Sequence, residues 1–363
     1  MASDVLVLGT IHQFHLMNEG YTYTHLERLL EAYEPDLVCL EIRPEDYETG
    51  EYKAPEEMVA VGLKWAMERG IPAAPVDWWE DDMPQRHQEA MAELTATPEG
   101  QVKLDRLMAD AAVGPTYEAR FQELTQTYQR ANSPETQDYF RRIHDLETEV
   151  LGEGNLNKRW EQRNKNMAQL VLEAIGNHEA KRAIVLTGCE HKYIIEDHLG
   201  DAGLTLLQLE DFLSEDIELT AEELSAFRDK SARIFVFQRV DGPQANTRPD
   251  SVDLSGVLER IKTLLEHNPG DTEVIYYRGL YHYLQRQYDE ALADFKVAVQ
   301  DRVALLLGWA PLWEIAALRA GQMLDLLGQR EAALDHYRTI RQDGKSFVNH
   351  AEQLIAELFT RPT

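Results

Sequence analysis

Four short apolar runs, each ending on a residue able to carry chemistry, predict an α/β fold on a mainly parallel sheet. A long helical stretch between the third and fourth runs predicts a large insertion, and a change of pattern after residue 250 predicts a separate all-α domain. Continuous runs of β-branched residues and Leu are what a strand buried on both faces requires, and short connections between such runs and amphipathic segments are those of βαβ units.

The first run, Val5-Leu6-Val7-Leu8, leads into Gly9-Thr10-Ile11-His12. An amphipathic stretch over 23–33 follows, then Leu37-Val38-Cys39-Leu40 leading into Glu41. A helix over 55–69 connects to the run 71–76, which leads into Asp77. Residues from about 84 to 180 read as helix almost throughout, with breaks at Thr97-Pro98-Glu99-Gly100, Val113-Gly114-Pro115 and Asn132-Ser133-Pro134. Insertions of this kind often cover a ligand crevice. The run 183–187 then leads into Gly188-Cys189-Glu190-His191, and further strands are expected at 204–209 and 233–240. The α/β domain thus spans 1–240. Residues 241–252, rich in Pro, Gly and polar side chains, read as a linker, and 253–363 as the helical domain.

Composition narrows the function. With 64 acidic against 36 basic residues and a formal charge of −28, the chain lacks the clustered cations that nucleic acid or an anionic membrane demands. No apolar run approaches the ~18 residues of a membrane span and the N-terminal residues show no basic leader, so a cytoplasmic protein is expected. Two cysteines, Cys39 and Cys189, make neither a disulfide framework nor a Cys-x-x-Cys knuckle. A Gly-x-Ser-x-Gly elbow, a Gly-x-Gly-x-x-Gly turn and a P-loop are all missing, so neither a serine nucleophile nor a phosphate cradle is indicated.

In an open parallel sheet, ligands bind in the crevice beyond the carboxyl ends of the strands. Four runs that deliver His12, Glu41, Asp77 and His191 to that edge therefore make a candidate site. Two imidazoles and one or two carboxylates supply the ligands of a hydrolytic divalent ion such as Mn, Co or Zn, which wants about three protein ligands and an open position. The same set also works without metal, with a His as base held in one tautomer by a carboxylate; sequence leaves both open. Glu190 is either a base beside His191 or a capping, solvated group. Arg163 shares a helical face with Trp160, Met167, Leu170, Val171 and Ala174, so its guanidinium either pairs with a buried acid or serves as a crevice cation that stabilises an oxyanion. Trp78 and Trp79 after Asp77 either line a pocket or pack the insertion onto the sheet.

The order of these motifs resembles the TraB/Tiki superfamily, which also takes in the GumN, erythromycin esterase-like and ChaN-like proteins. The resemblance rests on Gly9-Thr10-Ile11-His12, on Pro35-Asp36-Leu37-Val38-Cys39-Leu40-Glu41, on the Arg163-Asn164-x-x-Met167-Ala168 helix, and on the second Gly-x-x-His continuing through Leu199 and Gly203. It covers residues 4 to about 210 and implies a shared α/β fold with a site of His12, Glu41 and His191. Its members include metalloproteases, lactone esterases and haem- or iron-binding proteins. The implied function is hydrolysis of amide or ester bonds in a small molecule or peptide, with a non-catalytic haem- or metal-binding scaffold as the alternative. Thr10 stands where the esterase branch carries a Glu, which counts against a macrolide substrate.

After residue 253, setting Ala291 on Ala333 aligns Gly279 with Gly321 and Phe295 with Tyr337. These spacings resemble the tetratricopeptide repeat, in which small residues let paired helices touch and aromatics fill between them. The offset is 42 residues, with the excess falling over 303–309, and helices over 254–266 and 346–359 are expected to cap the stack. Such repeats imply a protein partner or a buttress for the α/β domain.

Overall fold

A computed structural model describes residues 3–50, 54–110, 116–151, 158–306 and 310–361. The chain divides into two compact units, Met1–Phe227 and Arg228–Thr363.

The first unit is built on a five-stranded parallel sheet in the order β3-β2-β4-β1-β5. The strands are β1 (Asp4–Thr10), β2 (Leu37–Leu40), β3 (Ala73–Pro75), β4 (Arg182–Gly188) and β5 (Thr205–Leu207). β4, the strand that follows the insertion, lies at the centre, with Thr10 of β1 opposite Gly188 and Leu40 of β2 opposite Leu186. β3 holds Pro75 and follows Pro72, and it takes an edge, where a missing backbone N–H is tolerated.

Strand alternation divides the core. Leu6, Leu8, Val38, Leu40, Ile184 and Leu186 face one side and pack with Leu26, Leu29 and Leu30 of the Tyr23–Tyr33 helix and with Met58 and Val61. Val5, Val7, Leu37, Cys39, Ala183 and Val185 face the other and meet Met167 and Val171 of the Lys158–His178 helix and Ile195 and Leu199 of the Cys189–Asp201 helix. Each such fully buried Leu, Ile or Val is worth about 1.5–3 kcal/mol. The expected helix over 55–69 is in part a wide π turn, Met58–Leu63, continued as α-helix through Arg69. Gly62 allows it to lie on the sheet, since a Cβ there would stand 2.8 Å from Leu186 Cδ1.

The insertion holds the helices Met83–Thr95, Pro98–Ala109, Tyr117–Leu124, Tyr128–Ala131, Pro134–Leu151 and Lys158–His178. Thr97 caps the second of these, its hydroxyl accepting from the Gly100 amide at 3.0 Å. The expected break at Val113-Gly114-Pro115 lies outside the described residues.

Residues 233–240, expected as a strand, are instead the end of a helix, Ala221–Val240. Thr220 and Glu223 open it as a reciprocal cap, the Thr220 amide donating to Glu223 Oε2 (2.8 Å) and the Glu223 amide to Thr220 Oγ1 (3.2 Å). Val236 and Val240, four apart, are its buried residues. Helical spacing therefore accounts for the apolar run better than strand alternation.

The second unit is helical: Val257–His267, Thr272–Leu284, Tyr288–Ala298, Leu312–Leu326, Arg330–Asp343 and Val348–Ala356. Gly279 lets its helix close onto the next, where a Cβ would stand 2.7 Å from Phe295 Cε1, and Gly321 meets Tyr337 in the same way. Ala291 and Ala333 are fully buried. The stretch read as a linker, 241–252, carries a short helix at Pro243–Thr247 with Ala245 buried, and Arg319 donates to both Asp241 Oδ1 and Asn246 Oδ1 at 2.8 Å. One departure from an all-α unit is present: Leu305–Leu306 pairs antiparallel with Ala310–Pro311. Leu307, Gly308 and Trp309, part of the excess between the aligned copies, lie outside the described residues. No helix among the described residues is long and apolar enough to cross a membrane.

Candidate functional site

Parallel pairing brings the ends of β1, β2 and β4 side by side, and the residues that follow them meet. Glu41 follows β2 directly; its Oε2 accepts from the Thr187 hydroxyl at 2.9 Å and the Gly188 amide at 2.7 Å, both from β4. Its Oε1 accepts from Arg163 Nη2 at 2.9 Å and lies 3.8 Å from Nε2 of His191. Arg163 also donates through Nε to Asp77 Oδ1 at 2.9 Å, beyond β3. Of the two readings of Arg163, pairing with buried acids is the arrangement found. Burial opposes the charge on Glu41, but the neighbouring cations, His191 when protonated, Arg163 and His12, together with the Gly188 amide, hold it at about 2. Burial and the charge of Glu41 raise the carboxyl of Asp77 against the pull of Arg163.

His191, in the first turn of the Cys189–Asp201 helix, is 4 % exposed. Its Nδ1 stands 2.6 Å from Asn164 Oδ1, while Asn164 Nδ2 donates to the Trp160 carbonyl at 2.8 Å. That second bond fixes the amide, so Asn164 presents its oxygen and His191 Nδ1 carries the proton; Nε2 is a bare lone pair. The indole of Trp160 stacks on the imidazole at 4.3 Å and 22°, and burial drives His191 down to about 3.

His12 is the first residue of a 3-10 turn after β1 and takes the left-handed conformation, φ 49°, which a side chain other than Gly adopts only where its surroundings enforce it. Its Nδ1 is 2.8 Å from Oε1 of Glu57, which also accepts from the Thr10 hydroxyl at 2.8 Å. Glu57 is wholly buried, and its Oε2 meets no hydrogen-bond partner among the described residues. Burial works against a protonated His12, but the bond to Glu57 and the charges of Glu41, Glu57 and Glu190 outweigh it and raise its pKa. Burial likewise opposes ionised Glu57, and the bond and charge of His12 lower it. Gly188 keeps the two imidazoles close: a Cβ there would stand 2.7 Å from His12 Nε2 and 3.5 Å from His191 Cδ2.

The strand runs thus place His12, Glu41, Asp77 and His191 around one sheet edge, with Arg163 tying Glu41 to Asp77. A cavity of about 240 Å³ opens beside them, lined by Thr10, His12, Gly188, Glu190 and His191 and by Ile11, Phe14, Tyr117 and Phe121. Glu190 faces this cavity, its Oε1 accepting from the Tyr117 hydroxyl at 2.8 Å, and burial raises its pKa. A larger groove of about 560 Å³ runs along residues 128–134 and 208–216 and contains none of the site residues. Trp79 lies under Arg43, whose guanidinium carbon is 4.3 Å from the ring centre, so it packs rather than lines the cavity. His15 is also withdrawn: buried, it takes the Ile11 amide on Nε2 at 3.1 Å and reaches the Tyr21 carbonyl with Nδ1 at 2.7 Å.

Sequence reasoning missed Glu57, Asn164 and Tyr117. Glu57 stands beside Glu56 at the start of an expected helix, where acids are ordinary, so nothing singled it out. Asn164 lay inside the Arg-Asn motif without a role.

A divalent ion at His12, Glu41 and His191 meets a mixed donor set. Both imidazoles have Nδ1 committed to an acceptor and Nε2 free, as metal-bound histidines do. Glu41 does not fit, because both of its oxygens already accept hydrogen bonds, one of them from a guanidinium. Among the described residues, no group of three or more His, Cys, Asp or Glu side chains is arranged to hold a metal ion. In comparisons with protein-family models, curated proteins and solved structures, nothing matches this chain.

Proposed function

We propose that the α/β unit is a hydrolase of amide or ester bonds, related to the TraB/Tiki superfamily, in which His12 is the general base. The observation that carries this reading is the His12–Glu57 pair at the edge of the cavity. A buried carboxylate that accepts from Nδ1 fixes the tautomer, leaves Nε2 as the proton acceptor and stabilises the imidazolium that forms. Water beside His12 gives its proton to Nε2 as its oxygen attacks the carbonyl carbon; the tetrahedral intermediate then collapses, the C–O or C–N bond breaks, and the departing alkoxide or amine takes that proton from His12. The Cys189–Asp201 helix presents its N-terminal turn to the same cavity, and the positive end of its dipole favours the developing oxyanion. Glu41, Arg163 and Asp77 form the rigid base that holds the ends of β2, β3 and β4 at the site.

The experiment is a screen of the purified protein against ester, lactone and amide substrates, repeated with His12→Ala and with added chelator. Turnover that survives the chelator and is lost in His12→Ala supports the reading. Turnover unchanged in His12→Ala removes it.

One observation favours a second reading, in which a divalent ion such as Mn, Co or Zn sits on the two bare Nε2 atoms. Such an ion would polarise the substrate carbonyl or acidify water, and Arg163 would have to release Glu41 for it. Metal analysis of the purified protein decides between the two. In the helical unit, the paired Gly279–Phe295 and Gly321–Tyr337 contacts support tetratricopeptide-like packing, and we infer that its surface recruits a protein partner.

A further inference from the structure

The cavity beside His12 continues onto a wall of rings. Phe14, in the turn after β1, lies 5.3 Å centre to centre from Phe121, and Phe121 lies 6.1 Å from Tyr117, both on the Tyr117–Leu124 helix. Ile11 extends the apolar surface. Glu190 stands against this wall. Its Oε1 is held by Tyr117, while Oε2 takes no hydrogen bond from any described residue. Glu118, exposed, adds a second carboxylate to the lining. No Lys or Arg is among the lining residues, and the guanidinium of Arg163 is committed to Glu41 and Asp77.

These surroundings select strongly by charge. An anion would meet two carboxylates, and the one lining group able to carry positive charge, His12, is already paired with Glu57. A wholly apolar group would cover the rings but strip water from Glu190 without replacing it. A protonated amine on a hydrocarbon stem satisfies both surfaces: the ammonium donates to Glu190 Oε2 and lies against the faces of the rings, and the stem covers Ile11, Phe14 and Phe121.

We propose that this cavity binds a protonated amine carried on an apolar stem, and that this group is the recognition element of the substrate beside the bond that His12 attacks. The second half rests on the hydrolase reading; the binding site does not.

The test is calorimetric titration of the intact protein with phenethylamine, phenethyl alcohol and 3-phenylpropionate at neutral pH. Phenethylamine should bind about tenfold more tightly than the alcohol, and the propionate more weakly than either. Glu190→Gln should bring the amine to the level of the alcohol and leave the alcohol unchanged, which shows that the ring wall has kept its shape. Phe121→Ala should weaken both. Equal affinity for all three ligands, no binding of the amine, or an amine affinity unmoved by Glu190→Gln overturns the proposal. Amine binding with these dependences, but no turnover of esters and amides that carry such an amine, overturns the hydrolase reading and leaves the ammonium site standing.

Discussion

Nδ1 of His12 stands 2.8 Å from Oε1 of Glu57, a carboxylate with no solvent exposure. The two are 45 residues apart, one beyond β1 and the other at the mouth of a π turn, and the Thr10 hydroxyl on the same oxygen fixes the carboxylate in place.

Glu57→Gln should therefore leave the fold intact and lower kcat by about a hundredfold or more, with KM little changed, because the charge that steadies the imidazolium is gone. In the wild type, activity should rise with pH through a midpoint above the ordinary imidazole value of 6.5, since His12 accepts a proton only when neutral and its carboxylate neighbours raise its pKa. In Glu57→Gln that midpoint should fall. Rate–pH profiles of both proteins check this, and an unmoved midpoint removes Glu57 from the reaction.

Arg163→Ala should act on stability. It leaves Glu41 and Asp77 buried without their cation, a loss of about 3–5 kcal/mol. Arg163→Lys should recover part of it, since an ammonium keeps the charge but not the two directed bonds. Urea unfolding measures the difference. Unchanged stability with a large fall in kcat would return Arg163 to the role of oxyanion stabiliser.

Acid should weaken the first unit well above the pH at which carboxylates protonate. Burial lowers His15 to about 4, so the unfolded chain binds a proton there from about pH 6.5 downward while the folded protein resists until about 4. Stability is fully present above 6.5 and falls by roughly 3 kcal/mol over that window from this residue alone. Thermal melts between pH 7 and 4 should show the decline, and His15→Gln should reduce it, with His25, His144 and His191, also lowered by burial, supplying the remainder.

In the helical unit, Gly279→Ala and Gly321→Ala should each destabilise by about 1–3 kcal/mol, since the added methyl meets a buried ring. Phe295→Leu should restore part of the loss in the Gly279 variant only, which unfolding of the double variant tests.

The sheet edge was legible because strand burial and ligand position are linked: four apolar runs implied four neighbouring carboxyl ends, whatever their order. What escaped is set by packing between distant segments. Glu56 and Glu57 are equivalent on paper, yet Glu57 is buried against His12 and Thr10 while Glu56 is exposed. The run Ile234-Phe235-Val236-Phe237 has strand composition, yet Thr220 and Glu223 had already started a helix that carries it onward.

The position of β4 has a consequence for synthesis. β1 and β2 emerge first but never pair with each other; each bonds to β4, which leaves the ribosome after the whole insertion. Until residues 182–188 appear, two apolar strands wait with unsatisfied edges, open to pairing with another chain. Nascent chains halted within the insertion should thus be captured by chaperones or aggregate, and chains halted after β4 has cleared the exit tunnel should not.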